Sequence, residues 1–151
     1  MSDLIRLTII SELGRFFDIS ELVCPHILKK WKNDAWQFLD TDYLHVLLII
    51  RRDILKSPMV GNNALHKQRG MRCNLCDMVK GKKEVYLSAH LFGKAGDFTI
   101  KGMTTAQAIK KIAENEDMLP CPIRIELDVN WLHFDVRSND KTTAKVTYFK
   151  G

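Results

Sequence analysis

Ile123-Arg-Ile-Glu-Leu-Asp-Val-Asn-Trp-Leu-His-Phe-Asp-Val136, followed by Thr143-Ala-Lys-Val-Thr-Tyr-Phe149, is the stretch that decides the fold class. Its β-branched and aromatic residues gather in short runs, Ile123 to Leu127, Trp131 to Val136 and Thr143 to Phe149. Turn residues separate them at Asp128 to Asn130 and Ser138 to Lys141. A further run, Asp97 to Ile100, has the same character. Between these strands Thr104 and Gln107 form a capping box, which predicts a helix with Ile109, Ile112 and Ala113 on one face, ending before Pro120.

Toward the N-terminus, residues 42–56 are so dense in apolar side chains that the helix they predict must be largely buried, and Ser57-Pro58 stops it. Residues 20–39 predict one short helix, broken early by Pro25. Gly61 to Lys83 carries Gly, Asn, Lys and Arg with weak periodicity and reads as a long loop, a kind of segment that often bears function. Helices first and sheet afterwards give an α+β class, with N-terminal helices packed on a largely antiparallel sheet.

A chain of 151 residues can bury one core and is short for two, so one domain over 1–151 is expected. No apolar run reaches the roughly 18 residues of a membrane span. The densest, Tyr43 to Ile50, contains His45 and is closed by Arg51 and Arg52. The first residues lack a basic segment followed by an apolar one, so the reading is a chain that stays cytoplasmic until released, without a membrane partner. In that compartment Cys24, Cys73, Cys76 and Cys121 are expected as free thiols. Cys73-x-x-Cys76 is half of a zinc-ribbon ligand set, but no second Cys pair or His pair at finger spacing follows it, so these cysteines are read as packing residues. His26, His45 and His66 are read as surface or hydrogen-bonded histidines. The net charge of +5 is spread along the chain with no nucleic-acid module in sight; it suits an anionic cell-wall polymer as well, and nucleic acid is not expected as a partner.

Chemistry concentrates in Ser88-Ala-His-Leu-Phe-Gly-Lys-Ala-Gly-Asp97 and Trp131-Leu-His-Phe-Asp-Val-Arg137. Gly93 permits a bend after His90, and Ala95 and Gly96 keep it slim, so Asp97 can return toward the same point. Strand alternation puts Trp131, His133 and Asp135 on one face while Leu132 and Phe134 pack behind. Singly, each of these reads as a tight turn or a core histidine. Jointly, two imidazoles and a carboxylate are a set that catalytic zinc accepts, with the fourth position left to water.

The spacing Ser-x-His-x-x-Gly-x-Ala-x-Asp, followed by Trp-x-His, resembles the zinc D-alanyl-D-alanine peptidases, a family that includes phage endolysins and has a hedgehog-like fold. Gln68-Arg-Gly-Met-Arg72 is similar to the family's arginine segment. The resemblance implies zinc (Zn2+) held by His90, Asp97 and His133, and a substrate carboxylate or carbonyl met by Arg72 and Ser88. It also implies a peptidoglycan peptide as substrate, of a phage or prophage type of enzyme acting on the cell wall, and a monomer is expected. Many members carry a glutamate as general base three residues before the second metal histidine; here that position is Asn130. Asp128 is taken as the base instead, with Asp135 and Glu126 as its rivals. The alternative to a peptidase is a zinc-containing cell-wall-binding module on the same scaffold, in which Asn130 marks lost catalysis.

Overall fold

The computed structural model describes residues 2–137 and 144–151. The class is α+β: helices precede a five-stranded sheet of order β1-β2-β4-β3-β5, antiparallel except where β5 runs parallel to β3. The strands are β1 Met59–Val60, β2 Ala95–Ile100, β3 Ile123–Leu127, β4 Leu132–Asp135 and β5 Val146–Lys150. The predicted runs at 97–100, 123–127 and 131–136 correspond to β2, β3 and β4. The last strand begins at Val146; the turn predicted at Ser138 to Lys141, and Thr143, lie outside the described residues.

The buried helix predicted over 42–56 is α3, Thr41–Ile49, which continues as a π-helical segment from Ile50 to Leu55. Asp40 caps it by accepting from the Tyr43 N–H, and Lys56 ends it in the left-handed region at φ 54°. Tyr43, Leu44, Val46, Leu47 and Leu48 are all buried, as so dense an apolar sequence requires. The short helix predicted within 20–39 is α2, Pro25–Trp31, and Pro25 begins it rather than breaking it, because the first helical position needs no N–H. Helix α1, Asp3–Leu13, has no counterpart in the sequence reading. Its apolar residues do not make one stripe: Ile9 and Leu13 are buried while Leu4, Ile5 and Leu7 face solvent. After β1 the long loop contains one short helix, α4 (Asp77–Lys80), and the capping box at Thr104 and Gln107 opens α5, Thr105–Glu114, as predicted. No helix among the described residues is long and apolar enough to cross a membrane.

Alternation divides the sheet. Phe98 on β2 and Phe134 on β4 are stacked with centroids 5.7 Å apart, and Tyr43 of α3 packs on Phe134. Together with Leu132, Ile123 and Ile125 they form the core between sheet and helices. Asp97 is paired in register with His133, and Arg124 with Asp135, so these residues occupy the other face. Segments of the loop between β1 and residue 88 cross that face: the Asp97 N–H donates to Arg69 O (2.8 Å), and Arg69 Nη1 donates to Thr99 Oγ1 (2.9 Å).

Candidate metal centre

His90 lies on a single 3-10 turn, Ala89–Phe92, whose cap is Ser88; the Ser88 hydroxyl accepts from the His90 N–H at 3.3 Å. Gly93 closes the turn at φ 66°, and a Cβ there would stand 2.4 Å from the Phe38 carbonyl oxygen. Glycine is therefore required both by conformation and by space. A Cβ on Gly96 would meet Tyr43 Oη at 2.3 Å, so the small residues that follow His90 let β2 lie directly on α3. The result brings Asp97 back beside His90, with His90 Nε2 to Asp97 Oδ2 at 3.4 Å. Pairing of β2 with β4 supplies the third group, His133 Nδ1 to Asp97 Oδ1 at 2.7 Å.

These three side chains are buried, and their donor atoms lie within 4.8 Å of one another, so they could hold a metal ion. The second ring nitrogen of each histidine is already committed. His90 Nδ1 donates to Gly70 O (2.8 Å), a carbonyl that can only accept, which leaves Nε2 facing Asp97. His133 Nε2 donates to Asp135 Oδ2 (3.1 Å), which leaves Nδ1 toward Asp97. Such outer partners fix the tautomer and orientation of metal-binding imidazoles. Ligands at about 2.0–2.1 Å from a tetrahedral zinc stand about 3.3 Å from each other, a spacing bracketed by the two contacts to Asp97.

Charge points the same way. Burial raises the Asp97 pKa, but its hydrogen bonds to His133 and His90 outweigh burial and hold the carboxyl well below the usual carboxylate range. Burial disfavours a charged His133, yet Asp135 and Asp97 on either side of it push its pKa up to about 9. Asp97 and Asp135 flank this imidazole, and each also meets a guanidinium, Arg72 at 3.4 Å and Arg124 at 2.7 Å, so a metal cation at Nδ1 would take the place of the ring's second proton. Asp135 is itself held below its ordinary value: burial opposes its charge, and His133 and Arg124 outweigh that.

Two adjoining depressions, about 470 and 420 Å³, meet at Arg72, Met78, Asp97 and Trp131 and form one groove over the three candidate ligand residues. Arg72 is 6% exposed, its Nε donates to Gln68 O (2.7 Å) and its Nη2 lies 3.4 Å from Asp97 Oδ2. Ser88 lines the second depression with His90 and His133, while Asn130 lines the first. Asp128, taken from the sequence as the base, is not among the residues lining either depression. It occupies the turn after β3 at φ 62°, is exposed, and pairs with Lys150 at 2.8 Å. Asp135 is engaged as the partner of His133 and of Arg124, whose Nε and Nη2 donate to its two oxygens at 2.9 and 2.7 Å. The carboxylate outside these ion pairs that lines the groove is Glu126. The register that pairs Ile125 with Phe134 sets Glu126 opposite His133, on the same face. The sequence reading expected the turn to swing Asp128 over the metal, but alternation selects the even-numbered positions 124 and 126 of β3 for this face, and Asp128 lies beyond the strand.

A second group was not anticipated as a unit. Cys24, His26, Cys73 and Cys76 have donor atoms within 4.8 Å of one another and could also hold a metal ion. The sequence signal was Cys24-x-His26, which is not at finger spacing and stands far from the Cys73-x-x-Cys76 pair it meets. All four cysteines of the chain are free thiols. Comparison with protein-family models, with curated proteins and with solved structures finds no match for this chain.

Proposed function

We propose that this chain is a zinc-dependent peptidase that cleaves a peptide bond involving D-amino acids in bacterial peptidoglycan. The observation that carries the reading is the convergence of His90, Asp97 and His133 on the floor of the groove, with Gly70 O and Asp135 fixing the two rings. The motif spacing and the arginine segment that resemble the D-alanyl-D-alanine peptidases support the same choice. Zinc held there would supply a Lewis acid that polarises the scissile carbonyl and lowers the pKa of water.

The remaining roles fall to the chain's own residues. Arg72, at the junction of the two depressions, presents a guanidinium for a substrate carboxylate or carbonyl, and its contact with Gln68 O orients the fork. Ser88 holds the His90 turn and borders the substrate position. Glu126 takes up the proton of the attacking water and returns it to the leaving amine. Trp131 forms a wall common to both depressions and keeps water from that side. Mass spectrometry of defined muropeptides, incubated with zinc-loaded and with chelated protein, tests the proposal: products are expected with the loaded protein alone. Muropeptide binding without hydrolysis would instead support the binding-module reading, which Asn130 at the usual base position favours.

A further inference from the structure

The loop between β1 and the His90 turn runs through 61–88 with only α4 as regular structure, and Leu65, Leu75, Val85 and Leu87 are each more than half exposed. Few buried apolar side chains secure it, yet it supplies Gly70 O to His90 and Arg72 to the groove. A segment that must be placed so accurately needs an anchor other than a core.

Its anchor point is visible at Met71. Met71 N–H donates to Leu22 O and Cys24 N–H donates to Met71 O, both at 2.8 Å, so the loop and the segment leading into α2 are joined by one parallel bridge, Val23 with Met71. Gly70 makes that approach feasible, since a Cβ on it would lie 2.2 Å from Leu22 O. Directly beyond this pairing, Cys24 and His26 from one segment meet Cys73 and Cys76 from the other. Cys24 and Cys76 are buried, Cys73 is partly so, and His26 closes the group from the solvent side with Nδ1 3.9 Å from Cys76 Sγ. Zn–S bonds of about 2.3 Å and a Zn–N bond of about 2.0 Å in a tetrahedron require N to S separations of about 3.5 Å, within a few tenths of that contact. Two backbone amides already point at sulfur: Leu75 N–H at Cys73 Sγ and Cys73 N–H at Cys76 Sγ, each 3.4 Å. Amide donors of this kind stabilise negative sulfur, as metal-bound thiolates require.

We infer that Cys24, His26, Cys73 and Cys76 form a closed, four-coordinate structural zinc site that clamps the 61–88 loop to α2 and thereby positions Arg72 and Gly70. Binding releases the thiol protons to solvent and involves no redox change. The site is distinct from the His90, Asp97 and His133 group, since no donor is common to both.

The full-length chain, purified under reducing conditions, is loaded with zinc for elemental analysis and with cobalt(II) for absorption spectroscopy. Only thiolate ligands give cobalt an intense near-ultraviolet charge-transfer band, so the spectrum reports the cysteine site alone. Wild type is expected to bind two equivalents and show the band. The variant carrying His90→Ala and His133→Ala should keep one equivalent and the full band, whatever becomes of the peptidase reading. Cys76→Ser should lose one equivalent and most of the band. If that variant does not fold, alkylation of wild type decides: zinc should protect Cys24, Cys73 and Cys76 while Cys121 reacts, until a chelator exposes all four. A zinc-supplied wild-type chain with no thiolate band and all four thiols equally reactive would overturn the inference, as would a disulfide among Cys24, Cys73 and Cys76 under these reducing conditions.

Discussion

Asp135→Asn isolates the residue that stands behind a proposed metal ligand, His133, without being one. The Asp135 side chain is 1% exposed. It accepts from His133 Nε2, from Arg124 through two contacts, and from the Arg137 N–H. Asparagine preserves the shape but removes the charge and turns one acceptor into a donor facing either Arg124 or His133. Loss of a carboxylate behind a metal-binding imidazole costs about 10–100-fold in metal affinity, which is about 1.4–2.7 kcal/mol. The metal-free fold should weaken as well. Breaking a buried ion pair costs up to about 3–5 kcal/mol, but the Arg124 side chain is 22% exposed and regains water, so about 2 kcal/mol is expected. Competition with a chromophoric chelator measures the first effect, and urea unfolding with excess chelator measures the second. A folded Asp135→Asn protein that binds zinc within twofold of wild type would refute the claim that Asp135 orients His133 for the metal.

Glu126→Gln is expected to lower turnover about 10²–10⁴-fold with zinc content unchanged, while Asp128→Asn, altered at an exposed pair with Lys150, keeps its activity; the reverse pattern would reassign the base. Arg72→Ala should cost about 1.5–3 kcal/mol in kcat/KM on a muropeptide with metal retained, and unchanged kinetics would remove Arg72 from substrate recognition. Gly96→Ala should destabilise the fold by about 1–3 kcal/mol, because its Cβ would press on Tyr43 Oη and the Phe98 ring, and a midpoint equal to wild type in denaturant would contradict the packing described. Thr104→Ala, which removes the capping bond to the Gln107 N–H, should cost about 1 kcal/mol by the same assay, and an unchanged midpoint would discount the cap.

The sequence alone determined whatever depends on local chemistry. Alternating β-branched and aromatic residues marked β3 and β4, the Thr104 and Gln107 box marked the start of α5, and unbroken apolar density marked α3 as buried. The residue types of the candidate centre, His90, Asp97 and His133, were legible because Gly93 and Gly96 leave few other courses for the chain between the first two. Helix α1 was not legible, since its apolar residues divide between core and solvent, and β1 is too short at Met59–Val60 to have a period. Other features were decided only in three dimensions. Nearness in sequence favoured Asp128, but cross-strand register set Glu126 opposite His133 and sent Asp128 to Lys150. Arg72 was singled out by the resemblance, but its burial beside Asp97 came only when the loop folded over the sheet. Cys24 and His26 meet Cys73 and Cys76 only because Met71 pairs with the backbone around Val23, a contact between segments distant along the chain. Periodicity and capping are encoded within a few residues, whereas register and loop docking follow from which distant surfaces bury together, and one sequence does not state that locally.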